Sequence, residues 1–115
     1  MLLVSRDQGP ALLVMPADGR LSWKKARATL PGSKSSNWRM ATEEEVASIT
    51  GGCVPGSVPP FGSVFEGKGV PTFVDNGMRE LHIINFNCGL RTRSIRLSTE
   101  DFFRAEQPQF SDLVE

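Results

Sequence analysis

The stretch from residue 51 to residue 69 constrains the fold of this chain more than any other part of it. Six of the eleven glycines and three of the eight prolines of the 115-residue chain fall there. Glycine weakens helices and strands, and proline lacks a backbone donor, so both disfavour regular structure. The stretch is also too long for a simple connection between two elements. We therefore expect a shaped loop with a function of its own.

The segments on both sides of this stretch have the patterns of short strands and helices. Two apolar runs, at 2–4 and 11–15, flank a turn-rich cluster and predict a hairpin. Ser22 and Thr42 stand where helix caps are expected, and Glu45 completes a capping box with Thr42. Further strands are predicted at 38–40, 71–74, 82–86 and 95–97, turns at Asn76-Gly77 and Cys88-Gly89, and a third helix after a second capping box at Ser98 and Asp101. Together these elements predict a mixed α+β domain.

The bulk composition is that of one soluble domain. A chain of 115 residues can bury a core without metal or disulfide support, and no apolar run approaches the ~20 residues of a membrane span. The apolar start at Met1 is interrupted by Arg6 and Asp7, too early for a secretory signal. Cys53 and Cys88 lack the spacing of a zinc site or a disulfide framework, which indicates a reducing, cytoplasmic setting.

Few residues can carry chemistry of their own. His82 is the only histidine and lies between apolar residues of a predicted strand, which argues against a Ser-His-Asp triad. The glycine-rich stretch lacks the lysine and following Ser/Thr of a phosphate-binding loop. Because the formal net charge is zero, any nucleic-acid contact must be local. The arginines at 91–96 are the densest candidate, with a solvated strand as the alternative. We expect neither a metal nor a cofactor.

Residues 56–62 are the remaining candidate for a functional site. Their sequence is Gly-Ser-Val-Pro-Pro-Phe-Gly, in which the glycines permit unusual backbone angles and the prolines stiffen the segment. Such a loop can hold backbone N–H groups rigidly beside an ester carbonyl, as the stabilisation of an oxyanion requires. A merely structural surface loop is the alternative that the composition leaves open.

Six pieces of the sequence occur in an order that is known from one protein family. They are Met40-Ala41-Thr42-Glu43-Glu44-Glu45-Val46, Thr50-Gly51, the loop at 56–62, Phe73-Val74-Asp75, Asn85-Phe86-Asn87-Cys88-Gly89 and Ile95-Arg96-Leu97-Ser98. From Leu2 to about Arg104 the chain resembles the YbaK and prolyl-tRNA-synthetase-associated editing domains. The resemblance implies an α+β fold with a curved, mostly antiparallel mixed sheet that approaches a barrel and has flanking helices. It also implies hydrolysis of the ester between a wrong amino acid and the tRNA 3′ end.

The resemblance also implies roles for residues around one pocket. The loop would form the wall that holds the aminoacyl group and the terminal adenosine. Asp75 corresponds to a family aspartate after a strand, for which closure of the Asn76-Gly77 turn is the alternative role. Asn87 and Gly89 match a turn that borders the pocket, and Ser94 falls near a polar pocket position. The implied substrate-binding set is Gly56, Ser57, Val58, Pro59, Pro60, Phe61, Gly62, Asp75, Asn87, Gly89 and Ser94.

One family feature has no counterpart in this sequence. Family deacylases carry a lysine just before the strand that here begins at Met1, so the catalytic group is unassigned. The lysines of this chain occupy other motif positions: Lys24, Lys25, Lys34 and Lys68. We expect either an N-terminally shortened form or a relative that binds without cutting. The editing domain is expected at 1–106, followed by a weakly ordered tail at 107–115, since Pro108 disfavours a longer helix.

The function that the resemblance implies is deacylation in trans, with water as the nucleophile. The usual substrate would be a small amino acid on tRNA(Pro), and the alternative is a catalytically silent module that binds tRNA or a synthetase. The expected partners are the aminoacyl-tRNA 3′ end and a synthetase, with no membrane. Because the loop backbone would approach the ligand, Gly62→Val is expected to reduce ligand binding more than thermal stability.

Overall fold

Seven strands are present in the computed structural model, which describes residues 1–54, 57–65, 69–87 and 93–115. They are β1 (Leu2–Ser5), β2 (Gly9–Val14), β3 (Arg39–Met40), β4 (Thr72–Asp75), β5 (Ile83–Asn87), β6 (Ser94–Ser98) and β7 (Gln109–Ser111). Five of them form a mixed sheet in the order β3-β1-β2-β4-β7, and β5 and β6 form a separate pair. The β2-β4 and β4-β7 pairings are parallel and the other three are antiparallel. The predicted mixed α+β fold is confirmed.

Three short helices occur in the described ranges, and local signals set their ends. Helix α1 (Trp23–Thr29) is capped by Ser22, α2 (Glu43–Thr50) by Thr42, and α3 (Thr99–Glu106) by Ser98. The Thr42 cap is the predicted capping box, and Gly51 ends α2 with a φ of 74°. No described helix has the length and apolar composition to cross a membrane. The turn predicted at Cys88-Gly89 lies outside the described residues.

The five-stranded sheet buries a different apolar cluster on each face, because successive strand residues alternate between faces. On the first face, Leu3 and Leu13 pack with Trp38, with residues of α1 and with Leu113. On the second face, Leu2 and Leu12 pack with α2 and the end of the glycine-rich stretch. Further along that second face, the cluster around Val74 includes residues of β5, β6 and α3. Both faces are therefore covered, by different kinds of structure.

The C-terminal segment is ordered, contrary to the sequence expectation of a weakly ordered tail. Pro108 does end α3, but the chain then adds β7 beside β4 in parallel. Leu113 is fully buried in the first-face cluster, and its backbone carbonyl accepts a hydrogen bond from Ser22 N at 2.8 Å. The Nζ of Lys25 also donates to the Val114 carbonyl at 2.8 Å. The segment is thus a structural part of the domain.

Candidate functional site

A cavity of about 610 Å³ opens on the second face of the sheet. Its walls come from the end of β2 and the turn that follows, from residues 83–86 of β5, and from the glycine-proline loop through Val58 and Pro60. Most of the side chains that line it are apolar, and Asn85 is a polar exception. Two other depressions, of about 310 and 420 Å³, are smaller. The 610 Å³ cavity is therefore the candidate site.

The residues of the glycine-proline loop differ in whether they line this cavity or are buried in the core. Val58 and Pro60 line the cavity, whereas the Phe61 ring packs edge-on against Phe86 and Phe102 at centroid distances of 5.6 and 5.2 Å. Ser57 is 1% exposed, and its hydroxyl has no hydrogen-bond partner within the described part of the chain. Of the other loop residues that the sequence implied, Pro59 is half-buried and Gly56 lies outside the described residues. The loop thus presents two side chains to the cavity and anchors a third in the core.

Some backbone amides of the loop donate hydrogen bonds to acceptors within the protein, and others do not. Ser57 N donates to Val54 O at 2.9 Å, and Gly62 N donates to Thr72 Oγ1 at 3.1 Å. The two prolines have no amide proton. Among the residues that the structure describes, the amides of Val58 and Phe61 have no acceptor. Within the described part of the loop, these two N–H groups are therefore the ones without an acceptor in the protein.

Gly62 is glycine because two stretches of backbone meet there. A Cβ on Gly62 would collide with the Val70 carbonyl oxygen and with Thr72 Oγ1. The Gly62 carbonyl accepts a hydrogen bond from Val70 N at 2.7 Å, so both of its backbone polar groups are satisfied within the protein. The sequence predicts that the Gly62 backbone approaches a ligand, and these contacts give its small size a reason within the fold.

Asp75 is buried and holds three backbone amides. Its carboxylate accepts from Gly77 N at 2.8 Å, from Leu113 N at 2.8 Å and from Val114 N at 3.3 Å. The Gly77 contact is the turn closure that the sequence offered as the alternative to substrate binding. Asp75 does not line the cavity. Its hydrogen bonds instead join β4 to the C-terminal segment.

Asn87 and Ser94 face each other across the β5-β6 pair. Asn87 is half-buried and Ser94 is exposed, and neither lines the cavity, although Asn85 and Phe86 of the same strand do. Gly89 lies outside the described residues. The structure therefore brings Val58 and Pro60 of the implied set together at the cavity and places Asp75, Asn87 and Ser94 elsewhere.

Comparison with known proteins identifies the family. The model of the aminoacyl-tRNA editing domain matches residues 1–105. The chain belongs to the aminoacyl-tRNA editing domain family. This confirms the family that the sequence resemblance named. A search of curated proteins gave no match.

Solved structures share the fold of this editing domain. A protein described as a candidate trans-editing enzyme for prolyl tRNA synthetase is 25% identical, with a TM-score of 0.82, and the match covers 100% of this chain and 68% of that one. A scaffold protein from epitope grafting by computational design has a TM-score of 0.82 at 23% identity, covering 99% and 67%. A hypothetical protein has a TM-score of 0.82 at 20% identity, covering 100% and 71%.

Several cavity residues of the editing domain were not anticipated from the sequence. Met1, Met15 and Met78 line the cavity from three separate segments, as does Ile83 at the start of β5. Methionine side chains are flexible and commonly fill irregular apolar space, so their types alone do not distinguish cavity from core. Asn85 could have been identified from the sequence as a cavity residue, because it is polar, lies among apolar strand residues and belongs to a family motif.

Within the described residues, no charged side chain and no histidine lines the cavity. Lys25 binds Asp112 at 3.0 Å and the C-terminal segment, and Lys24 is exposed on α1. Arg93 and Arg96 are exposed on or beside β6, in line with the solvated-strand alternative. His82 is exposed at the bend before β5, so it lies just outside the strand in which the sequence predicts it. Within the described residues the site consists of mostly apolar walls, the polar Asn85 and backbone donors.

Proposed function

We propose that this editing domain is an aminoacyl-tRNA deacylase that acts in trans on a small amino acid attached to tRNA(Pro). The observation that carries the proposal is the apolar cavity whose wall includes Val58, a loop residue whose amide has no acceptor among the described residues. Family membership supplies the reaction class, and the structural neighbour described as a candidate trans-editing enzyme supports the choice of a prolyl-tRNA-related substrate.

The reaction is ester hydrolysis with water as the nucleophile. Water adds to the ester carbonyl carbon, and the bond from that carbon to the ribose oxygen then breaks, which releases the free amino acid and a tRNA with a free 3′-terminal hydroxyl. Negative charge develops on the carbonyl oxygen in the transition state. Rigid N–H donors aimed at that oxygen lower the barrier, and the amides of Val58 and Phe61 are the candidates. The adjoining prolines keep the Val58 donor preorganised.

Substrate selection follows from the walls of the cavity. Apolar side chains such as Val58, Pro60 and Met78 favour an aliphatic aminoacyl group. The terminal adenosine would fill part of the cavity of about 610 Å³, and the space left would exclude a bulky side chain. One methylene in an apolar pocket contributes only about 1–3 kcal/mol to discrimination. We therefore expect clear rejection of large amino acids and weaker separation among alanine, serine and cysteine.

The ammonium that family deacylases use would act beside this cavity. Met1 lines the cavity, so a residue that precedes it in an extended chain would lie close to the site. An ammonium there would hold the phosphates of the tRNA end and favour the developing oxyanion. No lysine lines the cavity within the described part of the chain, which favours the silent binding module as the second candidate for the 115-residue form.

A deacylation assay separates the two candidates. The substrates are alanyl-tRNA(Pro) and a panel of other mischarged tRNAs. The enzymes are the 115-residue chain, a chain extended by a lysine-bearing family segment, and the extended chain with that lysine changed to alanine. The loss of one transition-state donor typically lowers turnover about 100- to 1000-fold, and we expect that ratio between the extended chain and the other two. Equal turnover by all three would remove the lysine from the mechanism, and binding without turnover by all three would establish the silent module.

A further inference from the structure

Glu106, the last residue of α3, accepts three hydrogen bonds from Ser63, which follows the glycine-proline loop at 56–62 (the cavity loop), and from Thr72. Its carboxylate accepts from Ser63 N at 3.3 Å, from Ser63 Oγ at 2.6 Å and from Thr72 Oγ1 at 2.7 Å. These donors belong to the segment after the loop and to β4, which are far from Glu106 in sequence. One carboxylate therefore connects three separate parts of the chain.

The position of this carboxylate is unfavourable for the helix itself. The C-terminal end of a helix carries partial negative charge, so acidic side chains are disfavoured in the last turn. Charge-assisted hydrogen bonds are roughly twice as strong as neutral ones, and three of them offset this cost. The acidic residue at this point is explained by what it binds and not by helix formation.

The inner branch of the network reaches the loop through Thr72. Gly62 N donates to Thr72 Oγ1 at 3.1 Å, and a hydroxyl has a single proton to donate onward. That proton goes to Glu106 at 2.7 Å and not to the Val70 carbonyl at 3.4 Å, since the carboxylate is nearer and charged. The result is a directed chain from the Gly62 amide through Thr72 to Glu106.

The two branches differ in burial. Thr72 is 6% exposed and Gly62 is buried, whereas the Ser63 contacts are exposed. Ser63, Thr72 and Glu106 all border the depression of about 310 Å³. Exposed polar contacts are weakened by water and salt, so the branch through Thr72 contributes more. The contacts that fix the end of the loop are therefore mostly inside the protein.

The fixed end lies close to the cavity wall along the chain. Only Pro59, Pro60 and Phe61 separate Val58 from Gly62, and the two prolines restrict the backbone between them. Phe61 is held by its ring contacts with Phe86 and Phe102. A shift at Gly62 would therefore be passed to Val58 and Pro60 on the cavity wall.

We propose that Glu106 is a positioning residue for the cavity loop: through Thr72 and Ser63 it sets where Gly62 ends the loop, and thereby where Val58 and Pro60 stand on the wall. The statement about loop geometry is independent of the ligand. Its consequence for aminoacyl binding rests on the proposed function. Glu106 does not itself touch the cavity.

The first test measures the loop without a ligand. Glu106→Gln removes the charge and one acceptor, Thr72→Val removes the relay hydroxyl, and Thr72→Ser retains it. Glu100→Gln is the matched control, because Glu100 is an exposed glutamate on the same helix whose partner is Arg104. In hydrogen–deuterium exchange, we expect the Gly62 and Ser63 amides to exchange about tenfold faster in Glu106→Gln and Thr72→Val, with rates near wild type in Thr72→Ser and Glu100→Gln. Unchanged rates in Glu106→Gln would overturn the proposal.

The second test uses a non-hydrolysable adenosine that carries alanine through a 3′-amide. We expect its Kd to rise about five- to tenfold in both Glu106→Gln and Thr72→Val, and no further in the double variant, because both changes break one network. The midpoint of thermal unfolding serves as the stability readout. Faster exchange across the whole chain in proportion to lost stability would make Glu106 merely structural. If the wild type does not bind the analogue, the proposed function fails, and the exchange experiment still decides the loop assignment.

Discussion

The two faces of the five-stranded sheet show different ways of covering a sheet. The first face is covered by side chains, with Leu3, Leu13 and Leu113 fully buried against α1. The second face is covered in part by a glycine-proline loop that is held at Gly62 by hydrogen bonds with the Thr72 hydroxyl and the Val70 backbone amide. Side-chain packing fills space, whereas a loop held at its ends leaves some of it open. The cavity lies on the face where hydrogen bonds replace part of the packing.

The largest effect on stability is expected on the first face. Leu113→Ala removes a fully buried side chain and leaves a cavity between the C-terminal segment and α1, which typically costs about 2–5 kcal/mol. Urea denaturation measures the free energy of unfolding. Val114→Ala, at a half-buried neighbour, is the control and should cost less. A loss below about 1 kcal/mol for Leu113→Ala would show that the segment is loosely attached and would remove the contrast between the faces.

A smaller but substantial loss of stability is expected at Gly62. The sequence predicts that Gly62→Val reduces ligand binding more than stability. Because a Cβ on Gly62 would collide with the Val70 carbonyl and Thr72 Oγ1, we instead expect a clear loss of stability. Because a Cβ would meet backbone, Gly62→Ala should destabilise the protein by about 1–3 kcal/mol and Gly62→Val by more. Thermal unfolding of both variants measures the effect. Wild-type stability in Gly62→Ala would contradict the close approach of the two chain segments.

Val58 should show the opposite balance between stability and binding. It is half-buried on the cavity wall, so Val58→Phe should change the free energy of unfolding by no more than about 1 kcal/mol while its ring occupies part of the cavity. We expect the affinity for the alanyl-adenosine amide to fall about tenfold or more, as measured by calorimetry. Val58→Ala is the matched variant and should accept larger aminoacyl groups. Equal affinities in all three proteins would place the ligand elsewhere.

The smallest effect on stability is expected away from the core and the cavity loop, at the ion pair where β3 meets α2. The Arg39 guanidinium, together with the Thr42 backbone amide, lowers the pKa of Glu45 to about 2 from its ordinary value of 4.5. Since the folded-state pKa lies below the unfolded one, ionised Glu45 stabilises the fold above about pH 4.5, and this contribution is lost as the pH falls towards 2. Glu45→Gln should lower the unfolding temperature slightly at pH 7 and leave it unchanged near pH 2. A difference that persists at pH 2 would assign the effect to the capping hydrogen bond alone.

The helix caps and the first hairpin show what local sequence determines. Ser22, Thr42 and Ser98 cap the helices where their types predict, because each hydroxyl accepts a hydrogen bond from an amide three residues away. The hairpin of β1 and β2 likewise forms across the turn cluster. The family can also be identified from the sequence alone, because its motifs occur in a fixed order along the chain. These features depend on residues that are neighbours in the chain.

The hydrogen bonds that hold the cavity loop and the C-terminal segment could be identified only from the tertiary structure. Asp75 binds the Leu113 amide, and Glu106 binds Ser63 and Thr72, across separations of 38, 43 and 34 residues. The sequence gives the capacity of these carboxylates to accept hydrogen bonds, but the parallel placement of β7 beside β4 selects their donors. The same placement turned an expected loose tail into a strand. Local hydrogen bonds can be predicted because the chain brings their partners together at little entropic cost, whereas distant partners meet only when the whole sheet forms.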